Sequence, residues 1–166
     1  MKRHLKILLF CLSSLVLISW DRATKELAKE HLMNKEPISY FHNMIRLEYA
    51  ENTGAAMNLG DGLSKPVSFW LLSIAPLTVL ALLFIYTINR SKELSPGKMM
   101  SFALIFSGGV GNILDRILYD RHVTDFMIIG FNNLRTGIFN FADVCVSAGA
   151  ISLLVFYYKE REKQAV

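Results

Sequence analysis

Four stretches of the chain consist almost wholly of apolar residues: Leu5–Trp20, Val67–Ile88, Met99–Leu118 and Ala142–Tyr158. Within them the apolar positions are not broken by polar ones at helical or strand period, as they would be in a water-soluble fold. Continuous apolar runs of about 18 residues or more read as transmembrane helices. The second run has 22 residues without a charge. It contains Pro76, which a membrane helix tolerates when neighbouring groups satisfy the freed carbonyl. The third run is apolar until Asn112 and then meets Asp115 and Arg116. The fourth carries only Asp143 and ends on Tyr157 and Tyr158, aromatic residues suited to a membrane–water boundary. The first run follows Lys2, Arg3 and Lys6, and no small-x-small cleavage site comes after it. It is therefore expected to stay as a span and not to be removed as a signal peptide.

The segments between the spans carry patterns of their own. "DRATKELAKEHLM", from Asp21, sets Leu27, Ala28, His31 and Leu32 at helical spacing and predicts a short interfacial helix. "MIRLEYAE" alternates Ile45, Leu47 and Tyr49 with Arg46, Glu48 and Glu51 and predicts a strand. "NTGAAMNLGDG" supplies turn residues. A strand needs a partner, and the segment 126–141 is the candidate. The expectation is a mainly α, polytopic membrane protein forming one domain over 1–166, with 21–66 and 119–141 on the other side of the membrane from the termini.

Charge orients this arrangement. Nine basic residues (Lys2, Arg3, Lys6, Arg90, Lys92, Lys98, Lys159, Arg161 and Lys163) crowd the N-terminal tip, the 89–98 connection and the C-terminal tail. The two longer connections hold eight over nearly three times the length. The excess of basic residues in short segments places both termini in the cytoplasm. The net charge of +4 belongs to this flanking pattern. No basic–aromatic stripe points to nucleic acid. Cys11 and Cys145 lie inside apolar runs with no metal-ligand spacing around them, and read as small hydrophobes.

The chemistry sits at the outer ends of the spans. In the third run, Ala103, Ser107 and Gly111 recur every four residues, a spacing that lets helices approach closely in lipid. Asn112, Asp115 and Arg116 follow at i, i+3 and i+4 and share a helix face. They mark a site in the bundle interior, or else Asp115 and Arg116 cap the helix as an ion pair. Asp125 lies just beyond the third run and Asp143 opens the fourth, so an antiparallel helix pair brings both to the same boundary. Two carboxylates held close cannot both ionise cheaply, and one keeps its proton. Such a pair supplies a general base and a general acid together. Read singly, Asp143 is an acid at a helix N-terminus and Asp125 a turn residue. His122, three residues before Asp125, is either a turn histidine or a contact of that acid. A small proton-coupled transporter or channel subunit would also use intramembrane Asp and Arg.

Five blocks, "DRATK" (21–25), "NTGAA" (52–56), "GGVGNILDR" (108–116), "HVTDF" (122–126) and "FNFAD" (139–143), occur in an order and placement that resemble lipoprotein signal peptidase, also called signal peptidase II, of bacterial inner membranes. The resemblance implies four transmembrane helices, a small extracytoplasmic β-cradle and an interfacial helix. It implies an aspartic endopeptidase that cuts prolipoproteins just before the diacylglyceryl-modified lipobox cysteine, near the outer face of the membrane. Implied partners are diacylglyceryl-prolipoproteins, membrane lipids and cyclic peptide inhibitors such as globomycin; no metal or organic cofactor is implied. Carried over onto the matching positions, the catalytic pair is Asp125 and Asp143. Asn52, Gly54, Asn112, Arg116 and Asn140 would shape the substrate site. Asp21, Lys25 and Asp115 would support it. Met57 stands where the family usually has an aromatic residue.

Overall fold

The four apolar runs are helical in the computed structural model, which describes residues 2–54, 62–131 and 134–165. Met57 lies outside the described residues. Helix α1 spans Arg3–Leu32, thirty residues. At about 1.5 Å per residue it exceeds a hydrocarbon core of about 30 Å, so its last turns leave the lipid. The separate interfacial helix expected from Asp21 is not found; it is the continuation of α1. No Gly or Pro interrupts "SWDRATKELAKE", and Ala, Leu, Lys and Glu propagate a helix already nucleated in the membrane. The inward stripe also differs from the expected one. Asp21, Lys25, Ala28 and Leu32 are buried, whereas Leu27 and His31 are exposed.

The second span is interrupted where Pro76 demands it. Helix α2 (Lys65–Phe69) passes through a π-helical turn at Trp70–Ile74 into helix α3 (Ala75–Asn89). Proline cannot donate to the carbonyl four residues back. The chain widens in front of it, and the Ala75 N–H reaches back to the Trp70 carbonyl. Thr78 Oγ1 adds a bond to the Ile74 carbonyl at 2.9 Å. Helix α4 (Pro96–Leu118) opens with Pro96 at its first position, after the Ser95 hydroxyl, which accepts the Lys98 N–H at 3.2 Å. Helix α5 is Phe141–Ala165.

The small residues of α4 do what their spacing predicts. Ala103 and Ser107 are buried and Gly111 lies under helix–helix contacts, while Gly108 meets the backbone of Ala142 and the side chain of Val146 on α5. Residues such as Leu15, Val16, Val79 and Leu82 face outward on the spans, as expected where lipid is the solvent. All four helical segments are long and apolar enough to cross a membrane.

A four-stranded antiparallel sheet in the order β1-β2-β3-β4 packs at one end of the helices: β1 Ile38–Tyr40, β2 Ile45–Asn52, β3 Val123–Phe131 and β4 Leu134–Arg135. Strand β2 forms where the sequence predicts a strand, but residues 45–50 are all half-buried with no in–out alternation, and the register shifts between Leu47 and Ala50. Strand β3 starts earlier than the 126–141 segment suggested, so Asp125 is a strand residue opposite Ala50 and not a turn residue. Phe126 turns inward onto Ala28 and Leu32, with Leu47, Tyr49 and Met127 around them. A second apolar cluster, Phe10, Leu94, Met99 and Ala103, closes the opposite end of the bundle.

Candidate active site

The site begins with the way α4 stops. The Tyr119 N–H bonds the Asp115 carbonyl and the Arg121 N–H bonds the Arg116 carbonyl, both at 2.8 Å. Asp120 and Arg121 adopt left-handed φ of 44° and 78°. This reversal sends the chain straight back as β3 along the helix end it has just left. Thr124 N–H then donates to Asp115 Oδ2 at 3.1 Å and anchors the strand to α4. Successive strand side chains alternate in direction. Val123 and Asp125 therefore face the helix ends around a cavity, while Phe126 faces α1.

The returning segment brings the second acid. Phe139 and Met127 exchange backbone bonds at 2.9 Å each way, which fastens residue 139 beside β3. The next residue, Asn140, caps α5. Its Oδ1 accepts the Asp143 N–H at 3.0 Å, and Asp143 Oδ2 accepts the Asn140 N–H at 3.0 Å. This is the reciprocal geometry of a capping box, with Asn and Asp in place of Ser/Thr and Glu. The side-chain amide of Asn140 is thereby left free to point outward. Its Nδ2 donates to Asp125 Oδ1 at 2.7 Å and to Asn112 Oδ1 at 3.0 Å. Asn112 Nδ2 donates to Asp143 Oδ1 at 2.8 Å, and Asn52 Nδ2 donates to Asp125 Oδ2 at 3.1 Å. Each carboxyl thus has both oxygens held by N–H donors from different elements.

Asp125 and Asp143 lie on the wall of one cavity of about 430 Å³, together with Asn52, Asn112 and Arg116. Asp125 is 2% exposed. Burial, with the charge of Asp143 adding to it, pushes its carboxyl up to about 6, against the opposing bonds from Asn52 and Asn140 and the charge of Lys25. Arg116 Nη2 donates to the Gly54 carbonyl at 2.7 Å, and Gly54 N–H bonds Asn52 Oδ1 at 2.9 Å. Gly54 is thus held between Arg116 and Asn52. Arg116 Nε is buried and has no hydrogen-bond partner among the described residues.

Behind the acids is a buried ionic cluster. Lys25 Nζ lies 2.8 Å from Asp21 Oδ2 and 3.0 Å from Asp115 Oδ2, and it donates to Asn112 Oδ1 at 3.0 Å. Arg22 Nη1 meets Asp115 Oδ1 at 2.6 Å. Asp21 Oδ1 accepts the Ala142 N–H at 2.9 Å, a second acceptor on the first turn of α5. Breaking one member of such a cluster leaves an uncompensated buried charge, at a cost of about 3–5 kcal/mol.

All ten residues singled out in the sequence come together here, with one correction and one division of labour. The capping ion pair between Asp115 and Arg116 does not form. Asp115 points to α1 and its cations, while Asn112 and Arg116, one turn apart, face the cavity. The shared face of Asn112, Asp115 and Arg116 is therefore split between two partners. His122 does not reach Asp125; its Nδ1 sits 2.8 Å from the Tyr119 carbonyl, as a turn histidine. Phe126, the residue after Asp125, is buried. Cys145 is buried and Cys11 exposed on the span. Among the described residues no cluster of His, Cys, Asp and Glu is placed to hold a metal ion. Sequence reading passed over Arg22, although it stands inside "DRATK" at a span end where a cation needs an acid. It also passed over Val146 and Ser147, which line the cavity at i+3 and i+4 from Asp143.

Comparison with known proteins gives the chain's family and fold. A family model described as signal peptidase (SPase) II matches residues 13–159. A protein named lipoprotein signal peptidase from Chlorobium phaeobacteroides strain BS1 is 37% identical over 158 residues, covering 90% of this chain and 95% of its own. One of the same name from Clostridium tetani is 37% identical over 143 residues, covering 84% and 86%. A solved bacterial membrane enzyme superposes with a TM-score of 0.77 at 22% identity, covering 93% of this chain and 90% of that one. At that identity the likeness speaks for the fold.

Proposed function

Since the chain belongs to the signal peptidase II family, and so is a multi-pass membrane peptidase that removes the signal peptide from prolipoproteins, we propose that its bond-cutting pair is Asp125 and Asp143. The observation that carries this is the shared cavity wall, with both carboxyls tied to the one residue Asn140. Asp125 is the member that holds the proton, because burial raises its proton affinity. Asp143 sits at the N-terminus of α5, where the helix dipole favours negative charge. In the cleavage step Asp143 takes a proton from a water as the oxygen attacks the scissile carbonyl carbon. Asp125 gives its proton to the carbonyl oxygen. The tetrahedral adduct then collapses: the C–N bond breaks, the proton on Asp143 passes to the leaving amine, and Asp125 recovers a proton from the adduct hydroxyl. Arg116 lines the cavity, and its Nε, without a hydrogen-bond partner among the described residues, is available to an extended backbone carbonyl.

The substrate is a prolipoprotein carrying a diacylglyceryl group on the cysteine that follows the cut. Apolar grooves that continue from the cavity along α5, past Ser147 and Ile151, and between α3 and α4, past Leu80 and Gly109, suit acyl chains and an apolar signal helix. A cyclic peptide such as globomycin would compete for the same cavity. The basic flanks put both termini in the cytoplasm and the acids near the outer face of a bacterial inner membrane. A cysteine introduced at Lys92 should be labelled by an impermeant thiol reagent only after the cytoplasmic side is opened; labelling of intact cells would reverse the orientation. The transporter reading is not favoured, since the polar groups gather at one end of the bundle and the family is one of peptidases.

The decisive experiment is cleavage of a diacylglyceryl precursor peptide by purified protein in detergent, with an unlipidated peptide as control. Asp125→Asn and Asp143→Asn should each lower kcat roughly a hundredfold to ten-thousandfold while the protein still inserts and folds. Cleavage near the unsubstituted rate by either variant would remove the pair.

A further inference from the structure

The ammonium of Lys25 is 2% exposed and does not line the cavity, yet it touches the residue that holds Asp143. A lysine ammonium has three protons and no acceptor. Its three acceptor neighbours are Asp21 Oδ2 and Asp115 Oδ2, as ion-pair contacts, and Asn112 Oδ1, which takes a hydrogen bond. The two carboxylates need no orienting, because either of their oxygens accepts. The asparagine is different: one end of its amide accepts and the other donates. Facing an ammonium, only the oxygen end is tolerated.

From this we infer that Lys25 is a positioning residue for cleavage: it locks the Asn112 amide with its oxygen toward α1, which forces the NH2 end onto Asp143 Oδ1. The inference rests on the assignment of Asp125 and Asp143 as the cutting pair. The lock propagates. With Asn112 Oδ1 fixed as an acceptor, Asn140 must present its own NH2 to it, and the same NH2 reaches Asp125 Oδ1 at 2.7 Å. The buried cation therefore fixes the Asn112 amide, and with it the donor that Asp143 Oδ1 receives, in agreement with the orientation of Asn140. The capping box independently requires the same Asn140 orientation, since its oxygen accepts the Asp143 N–H. Without the ammonium, the reversed Asn112 would set its oxygen against a carboxylate oxygen, and the pair would lose both a donor and a nearby positive charge. In the intact protein the charged groups facing the acids are Arg116 on α4, Lys25 on α1 and the acids themselves on β3 and α5.

The test removes the ammonium without stranding a charge. In the double variant Asp21→Asn with Lys25→Met, Asp115 keeps Arg22 and the Thr124 N–H, and an asparagine at position 21 can still accept the Ala142 N–H. The readout is the pH profile of kcat and kcat/KM on the diacylglyceryl peptide. The expected result is kcat lower by roughly tenfold or more, with the alkaline limb of kcat/KM moved upward by about one pH unit. Asp21→Asn alone should keep the limb where it is, and Lys25→Gln in the Asp21→Asn background, an uncharged donor, should recover part of kcat. A purely structural lysine would lower the melting temperature of the double variant and leave the limb in place, which overturns the inference. If neither double variant accumulates folded, Asn112→Asp decides: it keeps Lys25 ion-paired but has no NH2 for Asp143. It should fold and fail to cleave, and cleavage at the unsubstituted rate refutes the lock. Failure of the lock alongside inactive Asp143→Asn leaves the cutting pair standing. Activity in Asp143→Asn removes the pair itself.

Discussion

At the scale of the residue, the proposed cleavage depends on a buried carboxyl. Asp125 has its proton affinity raised to about 6 chiefly by burial. A pair with no proton has nothing to give the scissile carbonyl. kcat/KM should therefore fall as pH rises through about 6, since that parameter reports the free enzyme. A profile flat from about pH 5 to 8 would deny Asp125 the role of proton holder. The same elevation has a thermodynamic sign. The unfolded chain holds an ordinary Asp near 3.9. The favourable contribution of the protonated carboxyl is thus complete below that value and is lost as pH climbs through about 6. On the proposed assignment, stability is given up at working pH to hold this acid in a buried wall.

At the scale of the element, each helix end is shaped by short-range rules that also serve the site. The α5 capping box satisfies orphan N–H groups and, by the same bonds, fixes Asp143. The turn after α4 reverses the chain at Asp120 and Arg121 so that Asp125 returns to the helix end. Gly111 shows how tightly α4 must approach its neighbours. A Cβ there would lie 2.5 Å from Asp21 Oδ2 and 3.4 Å from the Ala142 Cβ. Asp21 cannot give way, being held by Lys25 and the Ala142 N–H. Gly111→Ala should destabilise the protein by about 1–3 kcal/mol, read as a lower thermal midpoint in detergent. An unchanged midpoint would mean that the α1–α4–α5 junction is looser than its geometry.

At the scale of the whole molecule, the sheet is a part of the site because it is fastened to the bundle from two sides. Phe126 packs onto Ala28 and Leu32 of the overlong α1, and Thr124 is tied to Asp115 of α4. Phe126→Ala should remove about 3–5 kcal/mol of stability. It should also lower kcat more than it raises KM, because Asp125 is the next residue along the strand. Chemical denaturation and steady-state kinetics on the same preparation check both. A variant that is destabilised with unchanged kcat would show that the strand is held well enough by its hydrogen bonds alone.

The amino-acid sequence by itself determined the four spans, because the bilayer demands long uncharged helices and the chain carries four such runs. It determined the close α4 contact, through Ala103, Ser107 and Gly111, and it marked the polar residues of the site by placing them at span ends. What only the tertiary structure decided is which partner each polar residue faces. Local spacing set Asp115 beside Arg116, yet Asp115 pairs with Arg22 and Lys25, 93 and 90 positions away along the chain, and Arg116 turns to Gly54. The continuation of α1 past Trp20 was likewise hidden, since "DRATKELAKE" reads as an interfacial helix until Asp21 and Lys25 are seen buried against α4 and α5. The reason is physical. Burial in lipid depends on what a residue is, and so it is written along the chain, whereas an ion pair or an amide bond depends on what another segment brings to it.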